Sequence, residues 1–353
     1  MEGSFPESGP LLIVSTHRNG AVDGFLLHAL CPRLEFMLKA GLVRWGGMRL
    51  FFGGIVVRRN QDSPRNDNSD AIVACEEHLL DGGALCVFPE GTSTLGPQHL
   101  PYHSGAARIA LAYWRATGQL PTIIPVGLHY AEPSVFRSDV EVVIGPPLEI
   151  ADPALPQQRL IALKRAISEA LLSVGANFAS EEHQQLAQLS ARAGSSAFRR
   201  LKSMEAGPPD AVTSQWTALD SPTRDLALTA PHFPLAILML LAAPLALPGF
   251  LLNLPILLAA RLAGRRFADG PNVVALWKLI AGTVATFIWL PLAFAISALT
   301  LGWHGILLIL ASTVALTALW SPLRTAWRSL RFHLAPQVAR QAVQRLFRLL
   351  SDV

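Results

Sequence analysis

The chain has 353 residues, is 51% hydrophobic and 15% charged, and carries a net charge of +4 with a mean hydropathy of +0.37. Ordinary soluble domains carry about 25% charged residues, so this chain is either membrane-associated or unusually apolar. No basic run with interleaved aromatics occurs in the first half, which argues against nucleic acid and favours an anionic membrane surface or a phosphate-bearing substrate as the partner of the positive charge.

The length predicts about two domains. The apolar excess is concentrated in 233–320, whereas 1–230 reads as a globular protein. Cys31, Cys75 and Cys86 are an odd number without metal-ligand spacing, which predicts reduced thiols in a reducing compartment and no metal site. Met1 is followed by Glu2 and then polar or turn residues up to Leu11, so no signal peptide is expected.

Leu11-Leu12-Ile13-Val14 predicts a buried strand. The chain leaves it on Ser15 and Thr16 and turns through Asn19-Gly20, which delivers His17 and Asp23 onto one turn. Imidazole is the side chain best suited to take a proton near neutral pH. A carboxylate on its other nitrogen would fix the tautomer and stabilise the imidazolium. No obvious nucleophile lies beside the pair, so the proton would come from a substrate hydroxyl. The alternative is that both side chains cap a turn or a helix start.

A helix is expected over 25–30, stopped by Cys31-Pro32. Lys39, Arg44 and Arg49 among large apolar residues predict a basic amphipathic helix over 36–52, touching lipid or packed on the core. Gly53-Gly54 breaks it, Ile55-Val56-Val57 is a short strand, and Arg58-Arg59 follow, cations that suit a phosphate or are simply solvated. After a polar loop at 61–70, a helix is expected over 70–80 with Asp70 as N-cap. A strand at 84–88 runs into Pro89-Glu90-Gly91-Thr92-Ser93, a turn whose carboxylate and backbone amides can cradle a polar head group. Helix 106–115, strands 122–128 and 140–144, and helix 157–174 complete the pattern. Strands alternating with helices predict an α/β domain with a mostly parallel sheet flanked by helices.

The series His-x5-Asp, Ile-Val-Val-Arg-Arg, Phe-Pro-Glu-Gly-Thr and Ile-Ile-Pro-Val-Gly resembles the four ordered blocks of the glycerolipid acyltransferase family, within the lysophospholipid acyltransferase superfamily. That family includes glycerol-3-phosphate and 1-acylglycerol-3-phosphate acyltransferases, and the resemblance covers about residues 11–150, in which four blocks in order carry more weight than any one alone. It implies His17 as general base, Asp23 as its partner and Arg59, rather than Arg58, as the phosphate-binding arginine. It further implies substrate binding by Glu90, Gly91 and Thr92 and places Pro125 in the fourth block. The family pattern is commonly His-x4-Asp with an Asn before the His. Here one more residue intervenes and Thr16 precedes, a spacing similar to that of the fungal glycerol-3-phosphate branch and its bacterial relatives. His103 stands where those relatives carry a lysine and Ser93 where others carry an arginine, so fixed positive charge is missing near the expected head-group site.

The resemblance implies direct O-acyl transfer from acyl-CoA or acyl carrier protein to the hydroxyl of glycerol-3-phosphate or lysophosphatidic acid, with no further cofactor. A hydrolase would need a nucleophile elbow, and Gly91-Thr92-Ser93-Thr94-Leu95-Gly96 has the wrong spacing for one. Cys86 lies in an apolar strand, where inert core is its expected role. An acyl thioesterase and a non-catalytic lipid-binding relative are the competing readings.

The expected organisation is a catalytic domain at 1–175, a helical connector at 176–232, a membrane region at 233–325 and a basic amphipathic tail at 326–353 lying on anionic lipid, with a plain solvated helix as its alternative. Within the membrane region, 279–299 and 301–320 each reach the roughly 20 residues that span a bilayer. Their short link predicts a transmembrane hairpin over 279–320. Arg261, Arg265, Arg266, Lys278, Arg324, Arg328 and Arg331 flank it, which places both ends, and the catalytic domain, on the cytoplasmic face. An even number of crossings is then required before it. Segment 233–260 is too short for two spans, so a re-entrant or in-plane pair kinked at Pro248-Gly249 is expected, with one kinked span and the catalytic domain outside as the alternative.

Overall fold

The computed structural model describes residues 3–39, 54–57, 69–150, 156–192, 196–230 and 241–351. The chain divides into two compact units, Met1–Tyr130 with Asp139–Ala179, and Ala131–Ser138 with Ser180–Val353.

In the first unit β1 (Leu11–Ser15), α1 (Ala21–Leu30), β2 (Leu34–Lys39), β3 (Ile55–Val57), α2 (Ser69–Leu80), β4 (Ala84–Val87), α3 (Gly105–Thr117), β5 (Thr122–Tyr130), β6 (Val140–Ile144) and α4 (Pro156–Val174) follow in order. The sheet runs β3-β2-β4-β1-β5-β6. β1 pairs in parallel with both β4 and β5, β2 in parallel with β3 and β4, and β6 alone runs antiparallel, on β5. Every residue of β1 and β4 is buried, as befits central strands covered on both faces. Leu11 and Ile13 join Leu27, Cys31 and Ile124 on the α1 side. Leu12 and Val14 join Cys75, Leu79, Ile109 and Leu163 on the side of α2, α3 and α4. The mostly parallel sheet flanked by helices is the fold class expected.

Two local expectations change. Residues 34–39 form strand β2, not the start of a helix over 36–52; the remainder of that segment lies outside the described residues. Backbone pairing with β4, register Leu34↔Ala84, overrides the helical spacing of the apolar side chains. Asp70 lies in the first turn of α2, which begins one residue earlier at Ser69.

The second unit is helical: α5 (Glu181–Arg192), α6 (Ala197–Ser203), α7 (Asp210–Thr217), α8 (Ser221–Thr229), α9 (Ala243–Leu252), α10 (Leu254–Arg266), α11 (Val274–Leu334) and α12 (Gln337–Ser351). The helical run Pro271–Leu334 is long and apolar enough to cross a membrane. It doubles back at Gly302, whose φ of 62° and ψ of −149° are non-helical. Trp289 Nε1 donates to Leu252 O at 2.8 Å and Asn253 Nδ2 donates to Thr313 Oγ1 at 3.1 Å, so both arms meet one corner. A straight helix would set positions 289 and 313 about 36 Å apart. Phe287, Ile288, Leu299 and Val314 point outward, an apolar surface suited to acyl chains.

α9 and α10 are bent by 73°. The break falls at Asn253, not at Pro248-Gly249: Pro248 sits inside α9, and Pro255 opens α10, where its missing N–H costs nothing. Gly249 instead permits a close approach, because a Cβ there would lie 2.1 Å from Ser312 O.

The tail helix α12 differs from the lipid-facing helix expected. Val343, Leu346 and Leu350 are fully buried and α12 packs on α5, α7 and α8. Arg200 Nη1 caps its end by donating to Leu350 O at 3.0 Å. The apolar stripe of α12 therefore packs on protein.

Loop 131–138 belongs to this helical unit. Glu132 binds Arg328 Nη2 at 2.5 Å and Arg324 Nη1 at 2.9 Å. Lys278 Nζ donates to Ser134 O at 2.9 Å, and Arg137 Nη1 to Thr317 O at 2.5 Å. Burial raises the Glu132 pKa, but Arg328 and Arg324 outweigh it and hold the carboxyl below its ordinary value.

Candidate active site

The loops that leave β1 and β4 lie side by side at the carboxyl ends of the parallel strands, where open α/β sheets bind ligands. Thr16 extends β1 by one residue: its N–H donates to Val126 O, and its hydroxyl accepts the Leu128 N–H at 3.0 Å. Thr16 thus stitches β1 to β5 immediately before the histidine.

His17 Nδ1 lies 2.9 Å from Asp23 Oδ2. Asp23 is fully buried at the start of α1 and its Oδ2 also accepts the backbone N–H groups of Arg18 and Asn19, at 2.8 and 2.9 Å. Gly20, at φ 55°, makes the turn that brings the carboxylate back under the loop. Tyr130, the last residue of β5, donates its hydroxyl to Oδ1 at 2.7 Å. An ionised carboxylate only accepts, so Nδ1 carries the proton and Nε2 has a free lone pair. The imidazole stacks on Phe88, with ring centroids 4.1 Å apart and planes 17° apart.

Glu90 is 2% exposed. Its Oε1 accepts the His17 N–H at 2.8 Å and its Oε2 the Leu100 N–H at 3.0 Å. His99 Nδ1 stands 3.4 Å from Oε1. Burial pushes the Glu90 pKa up, but His99 and the two backbone donors outweigh it and hold it below the usual carboxylate range. Thr94 N donates to His17 O at 3.0 Å, so the turn after β4 grips the histidine from both sides of its peptide unit. Gly91 adopts φ +71° and donates to Phe88 O at 3.0 Å; a Cβ there would meet His103 Cδ2 at 3.3 Å. Thr92 is exposed.

Arg18 points the other way, donating Nη2 to Gly96 O at 3.0 Å. Burial lowers its pKa, an effect opposed by Glu90 and Asp23. Cys86, inside β4, is fully buried, and burial drives its thiol far above the ordinary value, so it is no nucleophile. Among the described residues no cluster of three or more His, Cys, Asp or Glu could hold a metal ion.

The structure thus brings together His17, Asp23, Glu90 and Gly91 from the residues read in the sequence. Arg58 and Arg59 lie outside the described residues. Sequence reasoning missed Phe88, His99 and Tyr130. The first two sit inside or just after the Phe-Pro-Glu-Gly-Thr block, whose carboxylate is its more obvious chemical group. Tyr130 had one available signal, a hydroxyl-bearing residue ending the strand that flanks β1.

Over residues 2–129 the chain matches the model of the Acyltransferase family. It is 30% identical over 168 residues to the lyso-ornithine lipid O-acyltransferase of Rhodobacter capsulatus, covering 40% of this chain and 58% of that protein. It is 30% identical over 118 residues to glycerol-3-phosphate O-acyltransferase 2 of Saccharomyces cerevisiae, covering 31% of this chain and 16% of that one. The chain thus spans less than two thirds of either relative. Among solved structures, the 1-acyl-sn-glycerophosphate (LPA) acyltransferase PlsC of Thermotoga maritima aligns over 48% of this chain and 70% of that chain, at 19% identity and a TM-score of 0.32. Residues 2–129, which contain the histidine–aspartate pair and the turn that holds it, are the part of the chain that matches the Acyltransferase family model.

Proposed function

We propose that the protein moves a fatty acyl group from acyl-CoA or acyl carrier protein to the hydroxyl of a glycerol-phosphate-type acceptor, glycerol-3-phosphate or lysophosphatidic acid, in phospholipid synthesis. The 2.9 Å contact between His17 Nδ1 and Asp23, which leaves Nε2 as a base, carries this reading. Nε2 takes the proton of the acceptor hydroxyl as that oxygen attacks the thioester carbonyl. The tetrahedral intermediate collapses with cleavage of the C–S bond, and the imidazolium returns its proton to the departing thiolate. Asp23 stabilises the imidazolium in between. Glu90, with both oxygens engaged by backbone amides, acts by positioning His17 instead of touching the head group. Arg59 holds the acceptor phosphate. The apolar arms of α11 sit in the bilayer, and the cations at their bases keep the catalytic domain on the cytoplasmic face.

The test is an assay of the full-length protein with labelled acyl-CoA and each acceptor, read by lipid chromatography. His17→Ala is expected to lower turnover by about a thousandfold, the scale of a lost general base. Unchanged turnover in that variant overturns the reading, and free fatty acid formed without any acceptor favours a thioesterase. A second acceptor class rests on a specific observation: no Lys or Arg occurs anywhere from Phe88 to Gly105. A lysolipid whose head carries no phosphate, such as the one named for the Rhodobacter relative, belongs in the same screen.

A further inference from the structure

The structure assigns Tyr130 a role that no block of the family-like sequence contains: we propose that its hydroxyl is the positioning group that aligns Asp23 and sets the basicity of His17. This rests on the general-base reading above.

The two oxygens of Asp23 are served unequally. Oδ2 receives the His17 ring and the Arg18 and Asn19 amides. Among the described residues, the hydrogen bond to Oδ1 comes from Tyr130, at 2.7 Å across 107 positions of sequence. The carboxylate is fully buried, so no solvent replaces that donor. Without it, Oδ1 is a desolvated anionic oxygen and the group is free to rotate and exchange the oxygen it offers to imidazole. With it, the plane of the carboxylate is pinned from the far strand while the loop after β1 pins the near side. Burial, with the charge and hydrogen bond of Asp23, holds the phenol far above its ordinary pKa, so it remains a donor at any working pH.

The hydroxyl also tunes charge. Each hydrogen bond accepted by Asp23 withdraws negative charge from the side facing His17 and makes the imidazolium easier to deprotonate. The other ionisable groups around the pair are Arg18 from the loop after β1, Cys86 of β4, and Glu90 from the turn after β4, which acts on the His17 backbone. None of these changes when the Tyr130 hydroxyl alone is removed.

Tyr130→Phe keeps the ring and deletes the donor. In the full-length protein, kcat is expected to fall about tenfold, with acceptor KM changed less than about twofold, and the acid limb of the pH–rate profile to move upward because His17 holds its proton more tightly. Incorporating 3-fluorotyrosine at position 130, a stronger donor, moves the limb downward. A Tyr130→Phe protein with unchanged kcat, or with lowered kcat and an unmoved limb, overturns the proposal. His17→Ala in the same assay separates the two ideas: if it is inactive while Tyr130→Phe behaves as wild type, only the tyrosine assignment fails. If it is active, the general-base reading itself fails.

Discussion

His17 and Glu90 are 73 positions apart, yet they meet: the Glu90 carboxylate accepts the His17 main-chain N–H at 2.8 Å. The imidazole is thus aimed from two directions, by Asp23 on its ring and by Glu90 on its backbone. The Pro-Glu-Gly turn is a clamp on the His17 backbone, built from the strand next door.

The clamp predicts the behaviour of Glu90→Gln. The amide places an NH2 group against a backbone N–H and leaves one donor unsatisfied, which costs about 1–3 kcal/mol. The expected result is a lower unfolding midpoint together with a reduced kcat and a nearly unchanged acceptor KM. A selective rise in KM would instead assign Glu90 to direct head-group contact.

Gly91→Ala is expected to damage the same turn. The residue adopts φ +71° and its new methyl meets His103 Cδ2 at 3.3 Å. A non-glycine residue in that conformation costs about 1–2 kcal/mol. Chemical denaturation should register the loss, and turnover should drop more than the Thr92→Ala control, because Thr92 is exposed.

Acid stability has a definite sign at His129. Its ring is half-buried and Nε2 donates to Val174 O at 2.9 Å. Burial lowers its pKa from 6.5 to about 4, against the Val174 hydrogen bond. Between those values the unfolded chain binds a proton that the native state refuses. The stabilisation is therefore complete above pH 6.5 and drains away as pH falls towards 4, with a slope of up to about 1.4 kcal/mol per pH unit for one proton. Denaturant midpoints across this range should fall in the wild type and flatten in His129→Gln.

How much of this was written in the chain depends on how local the cause is. β1 and β4 could be read directly, because strands buried on both faces are continuous apolar runs with no need of periodicity. The His17–Asp23 pair was readable for the same reason: one turn contains both partners. What could not be read is set by distant chain. Leu34, Phe36, Met37 and Leu38 have a spacing that fits a helix as well as a strand, and it is pairing to Ala84 and Leu85 that decides. The stripe Val343, Leu346, Leu350 has the same look whether it faces lipid or three other helices. Pro248 was the obvious breaker in the apolar segment, but a proline within a helix is tolerated where neighbours satisfy the backbone, and the bend falls at Asn253.

Gly249 offers a test of the helical unit. A Cβ at this position would lie 2.1 Å from Ser312 O, so Gly249→Val must separate α9 from the second arm of the hairpin. The cost of such overpacking is about 1–3 kcal/mol or more. Thermal unfolding in detergent should show it, whereas Leu247→Val, at an exposed position, should leave the midpoint in place.

The loop between β5 and β6 has a consequence for inheritance. Eight residues that lie between β5 and β6 in sequence, 131–138, belong to the helical unit and are held there by Arg324, Arg328 and Lys278. A single recombination point after Ala179 would therefore transplant the arginines without their glutamate. Exchanging the helical unit for that of a homologue therefore requires exchanging the short internal segment with it.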